Sequence, residues 1–229
     1  MAAPRVATAS RLVARRTAGA PKARRGHGRD RVEPHTLVDT SSRYQIVSRL
    51  GAGGMGQLYW ALKLGAHGTR ARVVLKTSHK LNPREARWLA HEAELGMAAA
   101  GPGIVGHRAF FEAGGRGWLE LEPVDGIDLA ELHRRARAAG QRVPPFVAVG
   151  LVAEALEALG HVARAGIVHR DVSPRNIMVS ATTARVTLVD FGIARRVGVE
   201  LDPTFGRSVV GKVGYMPPEQ VRDPEVHQG

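Results

Sequence analysis

Apolar and polar positions begin to alternate at Tyr44. Tyr44, Ile46 and Leu50 fall on the pattern of a strand, and a glycine cluster follows. Residues 57–64 and 71–77 are the next two strands, and His67-Gly68 marks the turn between them. Asn82-Pro83 opens a helix that runs to about residue 99, with proline in its first turn, and Gly101-Pro102-Gly103 ends it. Strands fit again at 105–111 and 118–121. After Asp125-Gly126 the period lengthens to that of helices over 129–139 and 145–165. Short strands at 177–179 and 186–189 flank a turn. Residues 193–229, with Gly and Pro throughout, read as loop. No internal repeat is visible.

Composition narrows this pattern. The 229 residues suffice for one domain with a tail or for two small lobes, and 44% apolar with 24% charged residues is a globular balance. With no cysteine there is no disulfide framework and no thiolate zinc site, which fits a reducing compartment. The ten histidines show no metal-ligand spacing. The apolar stretch 146–159 is interrupted by Glu154 and Glu157 and stays short of the roughly 18 residues of a membrane helix. It reads as a core helix, so no membrane segment is expected in this chain. Half of the net charge of +12 lies in residues 1–40. Residues 1–42, rich in Ala, Arg, Gly and Ser, read as a disordered basic tail. Such a tail could serve nucleic acid, anionic lipid or a docking partner, and it imitates a transit peptide; the simplest reading is a solvated arm.

Three constellations carry chemistry. The first is Gly51-Ala52-Gly53-Gly54-Met55-Gly56-Gln57-Leu58-Tyr59. Its glycines let a backbone hairpin lie close over phosphates with amide N–H groups aimed at the oxygens. Here the pattern joins strand to strand, whereas a dinucleotide-binding turn leads into a helix. The second is Lys76, which closes the apolar run Val73-Val74-Leu75. An ammonium placed against phosphate needs a carboxylate to fix it. The following helix offers Glu85, Glu92 and Glu94; Glu92 is preferred for its spacing to Ile104-Val105, with Glu94 in reserve. The third is Ile167-Val168-His169-Arg170-Asp171-Val172-Ser173-Pro174-Arg175-Asn176, followed by Leu188-Val189-Asp190-Phe191-Gly192. Phosphoryl transfer needs a carboxylate to orient the attacking hydroxyl and oxygen ligands for the metal that neutralises the triphosphate. Asp171 suits the first task, Asn176 and Asp190 the second.

Taken together, these residues resemble the protein kinase family. The glycine loop, strand lysine, H-R-D…N loop, D-F-G and Pro218-Glu219 occur in that family's order over residues 44–229. The glycine-loop form and Gly214-Tyr215-Met216-Pro217-Pro218-Glu219-Gln220 look most like bacterial kinases of the eukaryotic Ser/Thr type. The resemblance implies an α+β, two-lobed fold over residues 43–229. A five-stranded antiparallel first lobe with one helix would span 43–122, a hinge 122–126, and a helical second lobe 127–229, truncated after the activation segment. It implies that Leu50 and the loop from Gly51 to Leu58 cover ATP, with Glu122 and Val124 at the hinge, Leu121 behind the adenine and Met178 beneath it. Lys76 would hold the phosphates and pair with Glu92, Asp171 would be the catalytic base, and Asn176 and Asp190 would bind Mg2+. Arg170 would meet a phosphorylated residue, with Thr204 and Ser208 as the autophosphorylation candidates. A protein substrate and a cytoplasmic location are expected.

The chain departs from the family at one informative place. Ser/Thr kinases usually carry a lysine two residues after the catalytic Asp and a Gly-Thr pair before the substrate-loop Tyr. Here those positions are Ser173 and Gly211-Lys212. A compensating exchange is expected, with Lys212 supplying the missing charge beside the γ-phosphate; Arg175, four after Asp171, is the other candidate. Leu58 and Val74, where the family usually has Val and Ala, add volume above the adenine. The rival expectation is a catalytically weak or inactive ATP-binding pseudokinase or interaction fragment. A basic nucleic-acid-binding role lacks interleaved aromatics and a recognisable binding fold.

Overall fold

A computed structural model describes residues 32–40, 42–53, 56–78, 83–198 and 212–218. The chain divides into two compact units, one holding the described residues of Ala20–Met97 and Gly106–Pro123, the other those of Ala98–Val105 and Val124–Gly229.

The first unit is built on an antiparallel sheet. Its strands are β1 (Leu37–Asp39), β2 (Arg43–Gly53), β3 (Gly56–Leu64), β4 (Arg70–Thr77), β5 (His107–Ala113) and β6 (Arg116–Leu121). They lie in the order β1-β2-β3-β4-β6-β5. One strand more than expected is present, because Leu37–Asp39 pairs with β2 in register Leu37↔Gln45. The boundary placed after residue 42 is therefore late: Val38 is buried in the core, and Val32 packs against it.

Two-residue alternation decides the faces. Tyr44, Ile46, Tyr59, Ala61, Val73, Leu75 and Trp118 form the core of one face. There Phe111 stacks on Tyr44 at 4.9 Å between centroids. The buried Glu120 accepts from the Tyr44 hydroxyl at 2.7 Å and from Lys63 Nζ at 2.9 Å. Burial is the first reason, and Glu120 the second, that the Tyr44 phenol is raised well above its usual pKa. Helix α1 (Pro83–Ala98) packs on the opposite face through Leu89 and Ala93, against Leu119 and Leu121.

Among its described residues the second unit holds α2 (Leu129–Ala138), α3 (Pro145–Arg164) and five short strands: β7 (Gly126–Asp128), β8 (Ile167–Val168), β9 (Ile177–Ser180), β10 (Val186–Leu188) and β11 (Arg195–Arg196). Three of these strands, β7, β8 and β11, lie where the sequence pattern shows none; pairs this short carry too few residues to display a period. They form a sheet β10-β9-β7 and a pair β11-β8. Gly126 lets β7 pair with β9, since a Cβ there would collide with the Val179 carbonyl. Asp128 caps α2 by accepting the Glu131 N–H at 2.8 Å. By length and composition α3 could cross a membrane. In this unit it buries Val147, Leu151, Ala155, Ala158 and Val162, and its Glu154 accepts the Val186 N–H at 2.9 Å. Residues Ala98–Val105 belong to this unit, because the Leu188 N–H donates to the Gly103 carbonyl and the Val105 N–H to the Leu188 carbonyl. The expected first lobe, 43–122, is thus interrupted.

Candidate active site

In the first unit, β4 lies between β3 and β6 in the sheet, so Lys76 stands on an interior strand opposite Leu58 and Leu119. Lys76 shares its face with Val74, the face that α1 covers. Glu92 follows Leu89 by three residues and precedes Ala93 by one, on the buried stripe of α1. The two side chains meet: Lys76 Nζ donates to Glu92 Oε1 at 2.6 Å and to Oε2 at 2.7 Å. Both are buried. Glu94 is exposed, turned off that stripe.

The glycine loop is the β2–β3 hairpin. Gly56 has φ 145°, and a Cβ there would stand 2.6 Å from the Thr77 carbonyl oxygen, so the close approach of β3 to β4 needs glycine. Gly51 and Leu50 are half-buried; Gly54 and Met55 lie outside the described residues. Gln57 is buried, and its Oε1 accepts the Tyr59 hydroxyl at 2.6 Å, so this side chain ties the sheet together. Leu58 and Val74 pack beside Leu119 and Leu121. Glu122 is exposed, its N–H donating to the Gly106 carbonyl at 2.7 Å.

In the second unit, residues 169–176 form the loop between β8 and β9. The β9–β10 pairing ends with the Val189 N–H donating to the Asn176 carbonyl at 3.0 Å, which brings Asp190 one residue from Asn176 across the hairpin. Arg170 (φ 63°) and Asp190 (φ 68°) hold left-handed backbone that side chains disfavour, the kind of strain that collects at functional loops. Asn176 Nδ2 donates to the Asp171 carbonyl oxygen at 2.9 Å and to Asp171 Oδ2 at 2.7 Å. With its nitrogen so engaged, the amide presents Oδ1 as its remaining oxygen donor. Lys212 Nζ donates to the same Asp171 Oδ2 at 2.7 Å. Arg175 is exposed; Val124 and Met178 are half-buried. Thr204, Ser208, Gly211 and Glu219 lie outside the described residues, as do residues 1–31 of the basic tail.

His169 has a role that its place in the motif does not display. His169 is buried, packs on the Phe191 ring at 4.9 Å, and its Nδ1 accepts the Asp171 N–H at 3.3 Å. It therefore holds the backbone that presents Asp171. Burial pushes the imidazole below its usual pKa, against the opposing pull of Asp190 and Asp171. Burial likewise lowers the Arg170 guanidinium, with the charge of Arg195 adding to it.

An oxygen donor set of one carboxylate and one amide suits a hard cation such as Mg2+, which uses few protein ligands. Among the described residues no group of three His, Cys, Asp or Glu side chains forms a larger metal site.

The family model for the protein kinase domain matches residues 44–228. This chain belongs to the protein kinase family. Bacterial kinases are among its curated relatives. The Ser/Thr-protein kinase PknB of Mycobacterium leprae is 35% identical over 190 residues, covering 81% of this chain and 30% of the relative. The Ser/Thr-protein kinase PknD of Mycobacterium tuberculosis is 32% identical over 185 residues, covering 80% and 27%. The chain thus spans about a third or less of the length of these relatives. Among solved structures, the PknI kinase domain of Mycobacterium tuberculosis aligns with a TM-score of 0.56 and 25% identity, covering 71% of this chain and 64% of that one. Kinase membership marks Ser173 as unusual: buried, with an Oγ that has no hydrogen-bond partner among the described residues.

Proposed function

We propose that this chain binds Mg·ATP and transfers the γ-phosphoryl group to Ser/Thr hydroxyls of protein substrates. The observation that carries the reading is the Asp171 carboxylate, held through Oδ2 by Asn176 and Lys212. Asp171 orients the substrate hydroxyl. As that oxygen bonds to the γ-phosphorus, the bond from phosphorus to the β–γ bridging oxygen breaks. ADP leaves with the electron pair, and the hydroxyl proton passes to Asp171. The magnesium that Asn176 and Asp190 would hold neutralises charge on the triphosphate when bound. Lys76, fixed by Glu92, would hold phosphate oxygens, and the glycine hairpin would cover them. Catalysis of this kind is positioning and electrostatic stabilisation. An ATP-dependent enzyme of this kind belongs in the cytoplasm.

A second reading, a nucleotide-binding module without turnover, draws on Ser173, where the family usually places a cation. Incubation with [γ-32P]ATP, Mg2+ and a general protein acceptor separates the two. The wild-type chain is expected to label itself or the acceptor at least about 100-fold faster than Asp171→Asn. Equal labelling by both, with nucleotide still bound, would establish the binding module instead.

A further inference from the structure

We propose that Lys212 is a positioning residue: its ammonium anchors Asp171 and supplies, from the activation segment, the cation that the catalytic loop lacks at Ser173. The inference rests on the kinase reading above and concerns the same site.

Three observations carry it. Lys212 Nζ lies 2.7 Å from Asp171 Oδ2, with side-chain exposures of 35% for the lysine and 13% for the aspartate. A half-covered ion pair on a shielded carboxylate is screened less than one on the surface. Next, Asn176 Nδ2 and Lys212 Nζ both use Oδ2, and Oδ1 takes no hydrogen bond among the described residues. The two donors thus fix the carboxylate while leaving one oxygen to receive the hydroxyl proton. Finally, the rival cation is elsewhere: Arg175 is exposed and makes no bond to Asp171 among the described residues. The Tyr215 N–H donates to the Lys212 carbonyl at 2.7 Å, so the backbone that delivers the lysine is itself held by a turn.

The placement has a consequence. A cation on the catalytic loop is present whenever that loop is folded. A cation at 212 reaches Asp171 only when residues 212–215 hold the turn seen here. Placement of that turn and completeness of the charge at the base therefore become one event.

The test uses the full chain. Lys212→Ala is expected to lower kcat about 100-fold with the KM for ATP changed less than about threefold, the signature of a contact that matters in the transition state. Lys212→Arg should recover at least tenfold of that loss, and Arg175→Ala should stay within about threefold of wild type. The double variant Ser173→Lys with Lys212→Thr should exceed Lys212→Thr alone by about tenfold, since it returns the cation by the other route. A Lys212→Ala rate within tenfold of wild type, or an equal fall in Arg175→Ala, overturns the proposal.

A measurement without nucleotide keeps this separate from the kinase reading. Trace amine acylation followed by mass spectrometry should modify Lys212 several-fold faster in Asp171→Asn than in wild type, while other lysines keep their rates. An unchanged Lys212 rate rejects the ion pair even in an active kinase. A wild-type chain that transfers no phosphate counts against the kinase reading.

Discussion

At the residue scale, His169 couples the active-site loop to pH. Its folded pKa lies below the ordinary 6.5 because the ring is buried. Protonation therefore favours the unfolded chain. The stabilisation is full above about pH 6.5 and is lost as the pH falls toward the folded value, with a slope of at most about 1.4 kcal/mol per pH unit. Urea unfolding between pH 5 and 7.5 should show stability declining on the acid side, and His169→Gln should flatten that decline. A slope unchanged in the variant would assign the acid sensitivity to another group. The same histidine shows the limit of reading residues singly. The sequence spells it beside Asp171, but its service to the Asp171 N–H appears only when the ring is seen folded back and packed on Phe191.

At the element scale, α1 shows how a helix selects one carboxylate among several. Leu89, Glu92 and Ala93 share the buried stripe, while Glu94 is rotated away. The stripe was legible in the sequence as a three-and-four spacing, and it is a firmer guide to Glu92 than distance to the next strand. Removing one partner of a buried pair leaves the other charge uncompensated. Glu92→Ala is expected to cost about 3 kcal/mol in urea unfolding and to reduce phosphate transfer by at least about tenfold. Glu94→Ala should stay within about 0.5 kcal/mol of wild type. Similar losses in both variants would show that the helix face, not the Lys76 partner, sets the effect. Helix α3 adds a different lesson. Phe146, Val149, Val152 and Leu156 are more than half exposed, opposite the stripe that packs in its unit. Its apolar length is legible in the sequence, but the side it packs in its own unit is decided by β8 and β10.

For the whole molecule, the testable property is linkage between ligand and stability. If the Asn176 and Asp190 oxygens hold magnesium on ATP, Mg·ATP at 100 times its Kd should stabilise the chain by about 2.7 kcal/mol. A thermal melt should show the shift with Mg2+ and lose most of it with EDTA. Asn176→Ala should weaken the magnesium-dependent part while leaving the melt without nucleotide within a few degrees. A shift that ignores EDTA would dissociate nucleotide binding from these two residues.

The sequence by itself determined the family and most of the elements. The glycine hairpin, Lys76, Asp171, Asn176 and Asp190 stand in short motifs, and strand and helix periods are local properties that neighbouring residues enforce. Tertiary structure decided partnerships and membership. It joined Leu37–Asp39 to the sheet, gave Ala98–Val105 to the second unit, and set Lys212, 41 residues away in sequence, on Asp171 in place of Arg175. Such choices depend on which distant segments share a buried space, and no local period encodes that.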